Sequence, residues 1–248
     1  MSKFEKSRWA NSEFSQGYRD EANIFLPFRG LFIEVSKSLY GHFISENPLA
    51  KVLDLGCGDG LFIQELTKSF KPSQVTLVDG SAEMLGAARK RLAGQEDYYF
   101  IQASFQQLLT DDILNERFDF IYSSLAIHHL PFAEKQELYA YIHEQLRPGG
   151  WFIHYDVALP PSEKLEKWYL SFWREWIKAH SSEERREQLL GIPDQYKGNQ
   201  DNMPDTLDTQ LEVLKDIGFS NVDCFYKYGI FTLFGGSRQS KEDNKGPT

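Results

Sequence analysis

The stretch that decides the fold is VLDLGCGDG, Val52 to Gly60: apolar residues interrupted by Asp54, then glycines at every second position, Gly56, Gly58 and Gly60. An apolar run of this length, bounded by glycines, reads as a buried strand running into a tight turn. Glycines so placed let a ligand approach the backbone closely at the carboxyl edge of a sheet. The surrounding sequence agrees. From about residue 50 to 157, β-rich runs alternate with helical patterns, the signature of a parallel α/β sheet. The strands read as Lys51–Leu55, Gln74–Val78, Tyr98–Ala103, Phe118–Ser123 and Gly150–Asp156, and the helices between them as Gly60–Phe70, Ser81–Leu92 and Glu134–Leu146. The last helix is expected to stop at Arg147-Pro148-Gly149-Gly150, where a cation, a proline and two glycines coincide.

Further out the pattern changes. Leu165, Trp168, Tyr169, Phe172, Trp173, Trp176 and Ile177 form one apolar stripe at helical spacing within Ser162–His180. That stripe suits core packing, a wall of a substrate pocket, or both if the helix is a lid. Residues 181–205 read as polar and turn-rich, and Thr206–Ile217 as a helix closed by Gly218. Strands Asn221–Tyr226 and Ile230–Phe234 follow as an antiparallel hairpin joined by Lys227-Tyr228-Gly229. The expected organisation is an N-terminal helical cap over residues 1–50, an α/β domain over 51–236 with a helical lid insertion at about 160–205, and a disordered tail at 237–248.

The chain of 248 residues, 41% hydrophobic and 25% charged, is long enough for a sizeable core. Its net charge of -9 and pI near 5.2 argue against a nucleic-acid partner. No apolar run approaches a membrane span, and the two cysteines, Cys57 and Cys224, suggest neither a disulfide framework nor a metal site. A soluble, cytoplasmic protein is expected. The six histidines are scattered apart from His128–His129, neighbours that cannot easily chelate one ion, so no metal is expected.

The spacing Gly56-x-Gly58-x-Gly60 departs from the G-x-G-x-x-G of dinucleotide sites, and Asp54 and Asp59 beside it disfavour a pyrophosphate. They suit a ligand bearing an ammonium and a sulfonium, as S-adenosyl-L-methionine does. Asp79, ending the next strand, stands where an acid accepts hydrogen bonds from ribose hydroxyls, unless it serves as a helix N-cap. Met84, flexible and apolar, would pack on an adenine face.

With these motifs in register, the sequence resembles class I S-adenosylmethionine-dependent methyltransferases of the small-molecule type, in detail over about residues 50–157. The resemblance implies a Rossmann-like, doubly wound, mostly parallel seven-stranded sheet with a C-terminal antiparallel hairpin. It implies that Asp54, Gly56, Gly58 and Gly60 border the methionyl part of the cofactor and that Asp79 binds the ribose. In IQASFQQL the family usually places an acid for the adenine amino group; here Ser104 stands there, so that contact is weakened or replaced by Ser104 and the Phe105 backbone. In FDFIYSSLAIHHLP, Ser123 and Ser124 would lie near the methionyl group and Leu125 beside adenine.

Methyl transfer is an in-line displacement, so the protein chiefly positions the nucleophile and, where needed, removes a proton. His129 and His128 follow the fourth strand and are candidates for a general base, or for a structural role. Tyr18, Tyr155 and Trp173 are candidates to contact an apolar or aromatic small-molecule acceptor. Two other uses of the same pocket stay open: a carboxy-S-adenosylmethionine synthase-like enzyme, for which Arg19 or Arg29 would supply a cation, and a non-catalytic cofactor-binding protein.

Overall fold

Strands joined by helices must return to the same edge, which makes their neighbours parallel. The computed structural model describes Trp9 and residues 11–240. Helices α1 (Ser12–Phe25) and α2 (Arg29–Phe43) precede β1 (Lys51–Leu55). There follow α3 (Leu61–Thr67), β2 (Gln74–Asp79), α4 (Ala82–Arg91), β3 (Tyr98–Gln102), α5 (Phe105–Thr110), β4 (Phe118–Ser124), α6 (Phe132–Gln145) and β5 (Leu146–Val157). Helices α7 (Glu163–His180), α8 (Glu183–Leu190), α9 (Ile192–Gln195) and α10 (Leu207–Ile217) lead to the hairpin of β6 (Phe219–Tyr228) and β7 (Phe231–Arg238). The seven strands lie in the order β3-β2-β1-β4-β5-β7-β6, and β7 is antiparallel to both of its neighbours. The strand order reverses between β1 and β4, which opens a crevice outside their carboxyl ends.

Side chains alternate between two cores, as the period of a strand requires. Val52, Phe120, Tyr122, Ile153 and Tyr155 pack on the face covered by α1, α2, α3 and α7, whereas Leu53, Leu55, Ile121 and Phe152 pack with α6 and α10. The N-terminal helices therefore share one core with the sheet. Helix α7 is fastened to the end of α1 by two indoles, Trp173 Nε1 donating to the Phe25 carbonyl (2.6 Å) and Trp176 Nε1 to that of Ile24 (3.0 Å).

Several boundaries differ from the sequence reading. Strand β5 starts at Leu146, through the expected stop, because Leu146 pairs with Phe118 and a register shift then absorbs Pro148 and the glycines before Trp151 meets Phe120. Residues 181–205, read as turns, contain α8 and α9. The hairpin strands are longer than expected, with Tyr228 paired to Phe231 across a tight connection at Gly229–Ile230. Strand β7 runs to Arg238, into the stretch read as tail; residues 241–248 lie outside the described residues. Trp168 departs from the buried stripe at 55% exposure, while Trp173 and Ile177 keep to it.

Candidate active site

Gly56, Gly58 and Gly60 all have positive φ, at 67°, 55° and 74°. A Cβ at Gly56 would come within 2.5 Å of Ala126 Cβ, whereas one at Gly58 would meet nothing within 4 Å. Gly56 is thus required by packing and backbone together. Gly58 is required by backbone alone and leaves open space above the loop. The loop is tied to β2: Gly56 and Cys57 donate their N–H groups to the Val78 carbonyl (2.8 and 3.0 Å), and Gly58 donates to Asp79 Oδ2 (2.9 Å). Asp79 Oδ1 accepts from Ser81 N–H (2.8 Å), and Ser81, whose hydroxyl accepts from Met84 N–H, is the N-cap of α4. The capping task therefore falls to Ser81, and the remaining lone pairs of Asp79 stay available.

Asp54 is 1% exposed, and neither carboxylate oxygen has a hydrogen-bond partner among the described residues. Burial, then Asp79 and Asp59, push its pKa well above the carboxylate range; burial raises that of Asp79 to about 6. A buried carboxylate without partner is costly and invites a cation. Asp59 lines the same cavity and is paired with Arg91.

These groups open on a cavity of about 510 Å³ at the strand-order reversal. Asp54, Gly56, Gly58, Asp79, Met84, Ser104, Phe105, Leu125, His129 and Tyr155 from the sequence reading all line it. Gly60 does not; it is the N-cap of α3, packed beneath Leu92. Ser123 does not either, since its hydroxyl donates to the Leu55 carbonyl (2.7 Å), and Ser124 lines the cavity instead. Ser104 caps α5 in a reciprocal capping box with Gln107, which occupies its hydroxyl and N–H. Arg19 is paired with Glu83 (2.6 Å). Arg29 also lines the cavity, donating to Asn23 Oδ1 (3.2 Å), with no carboxylate at ion-pair distance among the described residues. Burial, then Asp54, raise the pKa of the Tyr122 hydroxyl, and Ser124, Arg29 and Ser36 draw it back.

A second cavity of about 310 Å³ shares Trp9 and Leu125 with the first and carries Trp173 and His128 in its lining. Leu125, which lines both, holds a positive φ of 52°, costly for a bulky residue, and donates its N–H to the Tyr155 carbonyl (2.8 Å). The two histidines thus part company across the cavities. His129 has both ring nitrogens engaged, Nε2 accepting from the Trp9 indole (2.8 Å) and Nδ1 donating to the Asp201 carbonyl (2.7 Å). Tyr18 lies on α1, and its side chain is outside the described residues. Trp9 and Asn202 were not anticipated, because nothing in their local sequence marks them; only the packing of distant segments brings them to the cavities.

Among the described residues no group of His, Cys, Asp or Glu could hold a metal ion, and no helix is long and apolar enough to cross a membrane.

A glycine cradle, a buried acid without a hydrogen-bond partner among the described residues and a second acid at the next strand end thus lie together at the reversal of a seven-stranded sheet. Residues 52–150 match a family model described as a methyltransferase domain. Over 236 residues, 93% of this chain and 94% of the relative, it is 22% identical to a carboxy-S-adenosyl-L-methionine synthase of Nautilia profundicola. A trans-aconitate 2-methyltransferase of Deinococcus radiodurans is 36% identical over 107 residues, 43% of this chain and 38% of that one. The fold is shared with an O-methyltransferase family protein from Burkholderia thailandensis, with a TM-score of 0.66, 14% identity, and coverage of 96% of this chain and 63% of that one.

Proposed function

We propose that this protein transfers the methyl group of S-adenosylmethionine to a small-molecule acceptor, and that the larger cavity is its cofactor site. The observation that carries this reading is Asp54, a buried carboxylate with no hydrogen-bond partner among the described residues, facing a cradle that a side chain at Gly58 would fill. When bound, the cofactor supplies a methyl group already activated on a sulfonium. The chain's own residues do the rest. Asp54 would balance the cofactor's ammonium and Arg29 its carboxylate, and Asp79, already oriented by Gly58 and Ser81, would accept from ribose hydroxyls. Met84 would pack on the adenine.

Calorimetric titration with S-adenosylmethionine, S-adenosylhomocysteine and NAD tests the reading. The first two should bind and NAD should not, and Asp79→Ala should weaken binding at least tenfold, about 1.4 kcal/mol. Binding of NAD alone, or an Asp79→Ala variant of undiminished affinity, would overturn it. A second reading is favoured by Arg29, a cavity cation that would equally suit a carboxylated form of the cofactor, as the similarity to carboxy-S-adenosylmethionine synthases suggests. Mass spectrometry of the nucleotide released from the purified protein separates the two, because the carboxylated cofactor is heavier by one carboxylate.

A further inference from the structure

His128 and Asp156 form a dyad at the edge of the smaller cavity. Asp156 Oδ1 accepts from His128 Nδ1 (2.5 Å) and from Val157 N–H (2.8 Å), and Oδ2 accepts from His128 N–H and His154 Nε2 (both 2.9 Å). An ionised carboxylate only accepts, so the proton of His128 sits on Nδ1 and the Nε2 lone pair is left over. Nε2 makes no hydrogen bond among the described residues, and His128 lines the smaller cavity. Burial opposes the charge of Asp156, yet His128 and His154 outweigh it and hold that carboxyl well below the usual range. Behind the dyad, the Tyr139 hydroxyl lies 3.2 Å from His154 Nδ1 and 2.8 Å from Gln210 Oε1. This is the arrangement in which a buried carboxylate fixes the tautomer of a general base.

The cavity walls are chiefly apolar, with Phe25, Trp173 and Phe231 among them. Asn202 Oδ1, also at the lining, is buried without a hydrogen-bond partner among the described residues. No lysine or arginine lines this cavity among the described residues, and its one carboxylate, Glu21, is paired with Arg185. An acceptor carboxylate would find no counter-charge there.

We propose that the smaller cavity is the acceptor chamber, that its acceptor is an uncharged aromatic or enolic molecule bearing a hydroxyl, and that His128, positioned by Asp156, removes that hydroxyl's proton. The proposal rests on the methyltransferase reading and adds to it the acceptor class and the base. The acceptor's O–H pair becomes the new O–C bond to the methyl group, the proton passes to His128 Nε2, and the C–S pair stays on sulfur, leaving a neutral thioether. An imidazole, near pKa 6.5 in its ordinary state, matches a phenol near about 10 far better than an alkanol. Other titratable groups around His128 are His154 from β5, its neighbour His129, Tyr139 and Lys135 from α6, the last paired with Asp205, and Glu21 across the cavity.

The test uses 4-nitrophenol, whose phenolate absorbs visibly, titrated against full-length protein saturated with S-adenosylhomocysteine. The bound phenol should ionise about one pH unit lower than in buffer. His128→Gln should abolish that shift while keeping phenol affinity within about threefold, Asp156→Asn should reduce it, and Trp173→Ala should weaken phenol binding about tenfold or more. Calorimetry should give an unchanged S-adenosylhomocysteine affinity for His128→Gln, which certifies a folded protein should Asp156→Asn not fold. An unshifted phenol, no phenol binding, or a shift surviving in His128→Gln would overturn the proposal and leave the cofactor reading standing. Failure of wild type to bind S-adenosylhomocysteine would overturn the methyltransferase reading itself.

Discussion

Asp54 carries a cost that a cationic ligand removes. In the free protein burial and the neighbouring Asp79 and Asp59 oppose its ionisation, so an amide in its place relieves the fold while depriving the ligand of its partner. Asp54→Asn should therefore raise the unfolding free energy of the free protein at pH 8 by about 1 kcal/mol or more, while weakening S-adenosylmethionine at least tenfold. Denaturant unfolding and calorimetry read the two effects, and parallel losses in both would refute the trade. Asp79 predicts a pH dependence. Its folded pKa of about 6 lies above the ordinary carboxylate value, so the unfolded chain releases the proton first. Its contribution is full below about pH 4, is lost as pH rises through about 6, and is level above that, a span on the order of 3 kcal/mol. Asp156, whose carboxyl is held low, works in the opposite sense, so the quantity to read is the difference between wild type and Asp79→Asn across that window.

At the scale of elements, the glycine turn and helix α7 make separable predictions. Gly58→Ala meets open space and should cost only the left-handed backbone, about 1–2 kcal/mol. Gly56→Ala adds an overlap with Ala126 and should cost more, and Ala126→Gly should recover part of the excess. Thermal unfolding of the two single variants and the double variant decides this; equal losses at the two glycines would show that packing plays no part. Trp173 and Trp176 bind α7 to the last carbonyls of α1. Trp176→Phe keeps a ring but loses the indole donor, and should cost about 1 kcal/mol while speeding hydrogen exchange at the end of α1.

Across the whole molecule, α1 is a helix that lines both cavities. Arg19 reaches the larger one, while Phe14, Glu21 and Phe25 line the smaller. Cofactor binding should therefore slow exchange along α1 more than in β1 or β4, whose amides are already locked in the sheet centre. Mass-resolved hydrogen exchange with and without S-adenosylhomocysteine reads this, and uniform protection would count against a coupled roof.

The alternation of strands and helices, the glycine turn, Asp54, Asp79 and Met84 were legible in the chain, because each depends on residues close in sequence: period-two burial, positive φ, and a strand end followed by a capped helix. The same locality explains the errors. Read locally, Arg147-Pro148-Gly149-Gly150 is a stop, yet pairing with β4 carries β5 through it, and Ser123 reads as a cofactor contact, whereas its hydroxyl turns inward to the Leu55 carbonyl. What the sequence determined by itself is the sheet, its ligand edge and a cofactor class with cationic character. Tertiary structure alone decided that His129 is engaged by Trp9, that His128 rests on Asp156, and that a second cavity lies beyond Leu125. Those contacts join segments far apart along the chain, and such neighbours follow from the packing of whole elements, which no short stretch of sequence encodes.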